Sequence, residues 1–210
     1  MSHTNRFTRS LQALLLLLVA LLALPARAEI AEPERIVRET TDRVLENIKQ
    51  NLEAYKKDPA KLYAMVDELV LPHFDFERMT GLALGRYKRK VRNDQKERLV
   101  QAFRNLLVRT YSKALLEYND QKVIFLPMRG SVEQGDVTVR TEIDQPGGFP
   151  IPINYSLYLK DGQWKVYDVV IDNISMVTNY RSSFAREIKA KGVDGLIRTL
   201  QARNERQRNG

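Results

Sequence analysis

The hydrophobic period changes along this chain, and that change restricts the fold more than any other feature. Before Asn119-Asp120, apolar residues recur every three or four positions; beyond it they recur every two, and near Ser175 the longer spacing returns. Helices first, strands second and helices last predict an α+β domain. An antiparallel sheet of about four strands should carry helices on one face.

The helical part has clear punctuation. Pro33 suits a first turn, and Val37, Thr41, Val44, Ile48, Leu52 and Tyr55 form one stripe. Asp58-Pro59 opens a second helix with Leu62, Met65, Val66 and Leu69 on one face, closed by Pro72. Asp75 can cap a short third helix that runs through Leu84 to Gly85. Asp94 and Glu97 have capping-box spacing and predict the start of the longest helix, to about Tyr118. Its apolar residues cover nearly half the circumference, which predicts packing against two layers.

Four strands follow. Val123 to Met128 is the first; Val137, Val139, Thr141 and Ile143 form one face of the second. Ile153, Tyr155, Leu157 and Leu159 mark the third, and Asp161-Gly162 turns it into the fourth. Trp164 to Ile171 is apolar on both faces, which predicts a central or doubly covered strand. Ser175 should cap a helix with Met176, Tyr180, Phe184 and Ile188, and a shorter helix follows Gly192. The expected organisation is helical over 29–118, sheet over 122–172 and helical again over 175–203, one domain in all.

Residues 1–28 read separately. Arg6 and Arg9 precede the apolar run Leu11 to Leu24, Pro25 breaks it, and Ala26-Arg27-Ala28 is a small-x-small site. This order makes a secretory signal peptide of bacterial type, with Glu29 as mature N-terminus and the periplasm as destination. The apolar run is shorter than the roughly 20 residues that span a bilayer. The chain has no cysteine, which excludes disulfides, thiolate metal sites, cysteine nucleophiles and a lipid-modified N-terminal cysteine. Its formal charge is +8, and the loss of Arg6, Arg9 and Arg27 leaves +5 over 29–210. Such a surface favours an anionic partner.

Catalytic groupings are sparse. His73 is the single histidine after residue 28, and no zinc-binding histidine pair, nucleotide loop or Gly-x-Ser-x-Gly turn occurs. Asp168 and Asp172 lie four apart and are a possible acid–base pair. The plainer expectation is that Asp168 faces a basic group and Asp172 helps turn the chain. The run Arg86-Tyr87-Lys88-Arg89-Lys90-Val91-Arg92 holds five cations in seven residues. It reads either as a phosphate-contacting patch or as a solvated connector. The nine tyrosines, set among many large apolar residues, suit a cavity for an amphiphile as well as a plain core.

Three segments resemble a known family. They are Trp164-Lys165-Val166-Tyr167-Asp168-Val169 with Ile174 to Val177 and Asn179 to Phe184; Phe76-Glu77-Arg78-Met79 with Ala83 to Tyr87; and Phe103 to Leu107 with Thr110-Tyr111 and Leu115. Together they resemble the MlaC family, the phospholipid-binding periplasmic component of the Mla (maintenance of lipid asymmetry) system, also known as toluene-tolerance auxiliary proteins. Many relatives have Trp at the position of Lys88 and Glu-Gly at Asp172-Asn173. The resemblance implies a nuclear-transport-factor-like α+β fold with an acyl-chain cavity between sheet and helices. It also implies phospholipid as cargo, no cofactor and no nucleic acid. The implied partners are an outer-membrane MlaA lipoprotein–porin complex and an inner-membrane ABC transporter, met through its MlaD subunit.

A two-tailed lipid has about 30 methylenes, and exposing them to water costs roughly 24 kcal/mol, so a carrier must hide the tails. The expected lining is Met79, Leu84, Phe103, Leu107, Tyr111, Val139, Tyr155, Leu157, Val169, Met176, Tyr180 and Phe184. Arg86, Lys88 and Arg89 are expected outside it, for docking or headgroup contact, because unpaired charges do not share a dry cavity. Two other functions stay open: an isomerase-like enzyme with Asp168 as base, and an envelope scaffold without lipid.

Overall fold

The computed structural model describes residues 31–118 and 120–209; the segment read as an export signal, 1–28, lies outside them. The first helix, α1, is Glu32–Lys57, with Pro33 in its first turn. Asp58 caps α2, Pro59–Leu69, by accepting the Ala60 N–H at 3.1 Å. A 3-10 turn, Leu71–His73, leads to α3, Phe76–Leu84, whose cap is Asp75. A second 3-10 segment, Gly85–Lys90, carries the basic run, and α4 is Asn93–Ser112. The α4 start differs from the capping box expected at Asp94 and Glu97. Gln95 Oε1 instead accepts the Arg92 N–H at 3.1 Å, and Asp94 turns outward to pair with Arg92. Two reciprocal partners existed within three residues, and the amide that becomes buried won. Beyond Ser112 the chain tightens into 3-10 geometry, Lys113–Glu117, rather than continuing as α-helix to Tyr118.

The sheet is a meander in the order β1-β2-β3-β4-β5, every neighbour antiparallel. Its strands are Val123–Ser131, Asp136–Ile143, Ile151–Lys160, Gln163–Ile171 and the two-residue Ile174–Ser175. β1 is longer than its apolar run because the pairing shifts between Leu126 and Arg129, so that Pro127 and Met128 form a bulge. Proline has no N–H for a ladder, and an edge bulge is where a strand tolerates it. Gly130, at φ 89°, follows; a Cβ there would meet the Asp136 carbonyl oxygen at 2.5 Å.

β4 lies between β3 and β5, and a bulge makes both its faces read as apolar. Leu157 pairs with Val166 and Ser156 with Asp168, so Tyr167 is bulged out. The bulge resets the alternation: Trp164 and Val166 before it and Val169 after it all become buried. A strand with one extra residue thus reads as apolar on both sides. Its far edge meets Phe74 and Asp75, whose N–H donates to the Val166 carbonyl at 2.9 Å, and β5.

The last helix, α5, is Met176–Asn209, broken into two arms at Gly192 (φ 70°, ψ −177°). Thr199 Oγ1 on the second arm donates to Glu187 on the first, at 2.6 Å. Ser175 caps α5 by accepting the Thr178 N–H at 3.0 Å.

Two cores result. The main one joins α3, α4, both arms of α5 and the inward sheet face, with Val37 of α1. The second joins α1 and α2 to Val108 and the 3-10 segment after α4. Phe103 faces one core and Val108 the other, which is why the apolar stripe of α4 is so wide.

Candidate functional site

The inward face of the sheet is unevenly covered. At the end holding the β1–β2 and β3–β4 turns it is sealed: Val137 keeps 1% of its surface and Leu157 none, beside buried Trp164 and Val166. At the opposite end Phe125, Ile143, Ile151, Ile153 and Ile171 are only half-buried. Between the two lies Tyr155. Burial pushes its phenol up to about 12, partly offset by a hydrogen bond with Thr141. Yet the residue keeps accessible surface. Tyr155 thus sits where the burial of the inward sheet face falls off toward Ile143 and Ile151.

The structure brings the twelve expected lining residues into one cluster. Met79, Leu84, Phe103, Leu107, Val139, Leu157, Val169, Met176 and Phe184 are buried, and Tyr111, Tyr155 and Tyr180 are half-buried against them. Phe103 packs edge-on against Tyr180 and Phe184, ring centroids 5.1 Å apart in both pairs. Residues with zero exposure, such as Met79 and Val139, touch no water-sized space in this closed arrangement. The three tyrosines do, as do Phe125, Ile153 and Ile171, which the sequence reading did not single out. Their even spacing on β1, β3 and β4 was visible; which end of each strand stays uncovered was not.

Every tyrosine here is held neutral. Burial raises Tyr111 and Tyr180, the first helped by the nearby Tyr180, the second countered by Thr110 and Arg203. The interior therefore offers hydrocarbon walls with uncharged polar tips. Two surface clefts, one of about 290 Å³ between α4 and the second arm of α5 and one of about 190 Å³ beside Asp75, involve none of the twelve.

The possible catalytic groups are otherwise engaged. Asp168 does not face a basic group: one oxygen accepts the Ser175 hydroxyl at 2.6 Å and the other the Val177 N–H at 3.1 Å. It fixes the β5–α5 junction. Asp172 sits in a left-handed turn with Asn173 and donates its N–H to Pro152. His73 is shifted down by burial and by Lys165 and Arg43. Among the described residues no group of His, Asp and Glu is placed to hold a metal ion. No described helix is long and apolar enough to cross a membrane.

The sealed end has a fastening that sequence reading missed. Asp75, buried, accepts from the Tyr158 hydroxyl, from Lys160 Nζ at 2.9 Å and from the Arg78 N–H at 2.8 Å. Burial alone would raise its carboxyl, but these bonds outweigh it and hold it at about 2. The Arg78 guanidinium lies over Tyr158 and Tyr167, 3.8 and 4.1 Å from the ring centroids. These contacts bind α3 to the outer side of β3 and β4.

Arg86, Lys88 and Arg89 are exposed on the 3-10 segment, outside the core, while Tyr87 between them packs inward. Arg181 of α5 joins them, its Nε donating to the Leu82 carbonyl at 3.1 Å beside Gly85. Among the described residues none of the three connector cations has an ion-pair partner.

Fold and site together define an α+β domain with a large apolar interior between sheet and helices. The MlaC protein family model matches residues 38–202, and the chain belongs to that family. It is 29% identical over 180 residues to the toluene tolerance protein ttg2D of Pseudomonas putida, covering 85% of this chain and 83% of that one. It is 28% identical over 186 residues to the intermembrane phospholipid transport system binding protein MlaC of Haemophilus influenzae, covering 85% and 86%. Among solved structures it is similar to the phospholipid-binding protein from Ralstonia solanacearum in complex with a phospholipid. There the TM-score is 0.78 and the identity 31%, over 84% of this chain and 99% of that one.

Proposed function

We propose that this protein is a periplasmic phospholipid carrier that holds acyl chains between sheet and helices and leaves the headgroup in solvent. The observation that carries the reading is the apolar cluster between sheet and helices, aliphatic and aromatic, in which the twelve expected residues gather and whose sheet face is left half-buried toward Ile143 and Ile151. Membership of the MlaC family and the likeness to a protein solved with a phospholipid support it. In this reading the twelve residues of that cluster flank the tails. Arg86, Lys88 and Arg89 lie near headgroup phosphates or a partner's acidic face. Lipid is exchanged with the MlaA-containing outer-membrane complex and the MlaD-bearing inner-membrane transporter. The first 28 residues are removed on export, so N-terminal sequencing of the exported protein should begin at Glu29.

Native mass spectrometry of protein purified without added lipid tests the central claim. Co-purified diacyl lipid is expected. A protein that stays empty, even after incubation with phospholipid, overturns it. The acid–base alternative is not favoured, because both oxygens of Asp168 already accept hydrogen bonds.

A further inference from the structure

The first turns of α1 lie against the sheet. The helix packs on β2, and Val37 enters the main core with Ile36 beside it. One residue on, Arg38 lays its guanidinium over the Phe125 ring, 3.8 Å from the centroid. Phe125 pairs with Thr141, Thr141 with Ile153 and Ile153 with Ile171, so the ring belongs to the inward row whose Phe125, Ile153 and Ile171 are half-buried. Among the described residues no other guanidinium is stacked on a ring of that row. At 36% exposure the Arg38 side chain stands on the border between apolar interior and solvent.

This guanidinium is half used. Nη2 donates to Glu34 Oε1 at 2.7 Å, while Nε, on the same side of the fork, is buried with no hydrogen-bond partner among the described residues. Arg92 shows what the same pair of atoms does when matched: its Nε and Nη2 donate to the two oxygens of Asp94, each at 3.1 Å. A buried N–H left without an acceptor is costly, and native proteins rarely keep one without a reason. What completes an Nε/Nη2 pair is two oxygens of one anion, a carboxylate or a phosphate. The position of Arg38 chooses between them. In a phospholipid the diester phosphate joins tails to headgroup, so with the tails among the apolar side chains it comes to rest at the border where Arg38 stands.

We propose that Arg38 receives the phosphate of the cargo: as tails enter beside Phe125, its guanidinium leaves the ring and closes Nε and Nη2 on two phosphate oxygens, displacing Glu34. The inference rests on the carrier reading and names the polar contact that the bound lipid makes. Every phospholipid carries the same diester, so this contact selects for a phosphate and is indifferent to the group beyond it.

The test loads delipidated mature protein with one lipid at a time, dioleoylphosphatidylglycerol or dioleoylglycerol, which has the same tails and no phosphate. Retention is read against rising methyl-β-cyclodextrin as acceptor. Arg38→Gln should hold the phospholipid about tenfold more weakly, the loss of a charge-assisted pair, and hold dioleoylglycerol as the parent does, which also shows that it folds. Arg38→Lys keeps the charge without the fork and should fall between. Arg35→Gln, whose residue pairs with Glu39 in solvent, should match the parent. Glu34→Gln removes the displaced carboxylate and should tighten the phospholipid; weaker retention there overturns the exchange of partners. Parent-like retention of phospholipid by Arg38→Gln overturns the contact while the carrier stands. Equal loss of both lipids also overturns it, as Arg38 would then be a cover over Phe125 and no more. Inorganic phosphate alone should leave the melting temperature of the delipidated parent unchanged. A rise that Arg38→Gln abolishes would make this a free-anion seat and overturn the assignment to cargo. A parent that holds no phospholipid refutes the carrier reading itself.

Discussion

Asp75 shows how much one side chain can organise. It caps α3, anchors Tyr158 and Lys160, and so joins the helical layer to β3. Its carboxyl is held at about 2, below the unfolded value near 4. A depressed value means stabilisation that is complete above pH 4 and lost as pH falls through 2. The contribution is roughly 1–2 kcal/mol. Urea unfolding of parent and Asp75→Asn should therefore differ by about that amount at pH 7 and converge toward pH 2; a constant gap would assign the difference to packing. Asp168→Ala should cost about 1–2 kcal/mol, because it frees the Val177 N–H and the Ser175 hydroxyl together. The sequence marked Asp75 as a cap through local spacing. It could not show the rest, since Tyr158 and Lys160 lie 83 and 85 positions away.

Elements were the most legible level, since each announces itself through its own neighbours. Asp58 and Ser175 cap the helices expected of them, and the β2 alternation appears as read. What failed was whatever depends on one hydrogen bond: the α4 start at Gln95 and the bulge at Tyr167. A bulge is chosen by the partner strand, and nothing in β4 alone announces it. Gly192 was read as a boundary between helices, and its backbone explains why it holds. Only glycine occupies φ 70°, ψ −177° readily, yet a Cβ there would meet nothing within 4 Å. Gly192→Ala should thus cost about 2 kcal/mol through backbone strain alone, read as a lower melting temperature. Leu107→Trp on α4 addresses the apolar interior instead. It should lower bound lipid per protein while the circular dichroism of the fold persists. Unchanged occupancy there and at neighbouring positions would make these side chains plain core.

At the scale of the molecule, charge is divided. Cations gather at Arg86, Lys88, Arg89 and Arg181, while Glu142, Asp144 and Asp172 lie at the far end of the sheet beside Lys122. Reversing Arg86, Lys88 and Arg89 to Glu should leave lipid occupancy near the parent's and slow exchange with a membrane complex, more so at low salt. Exchange at the parent rate under those conditions would leave the segment a solvated connector. The twelve side chains named from sequence fall into one cluster, because Phe103 and Leu107 share a face of α4, and Tyr180 and Phe184 a face of α5. Sequence gave no sign of which end of the sheet stays half-buried, which depends on how far α-helices extend over each strand end. The meander order β1-β2-β3-β4-β5 bears on how the chain assembles. Each strand pairs with the one made just before it, so hairpins can add in turn as the polypeptide emerges, with no strand inserted between two others. The helical half emerges earlier, and Phe103 and Leu107 then wait uncovered for Val139, Val169 and Phe184. During that interval the nascent protein displays its most aggregation-prone surface. A chain ending at Asp120 should precipitate or bind a holding chaperone where the complete one does neither, so the sheet that completes the interior first protects the helices that precede it.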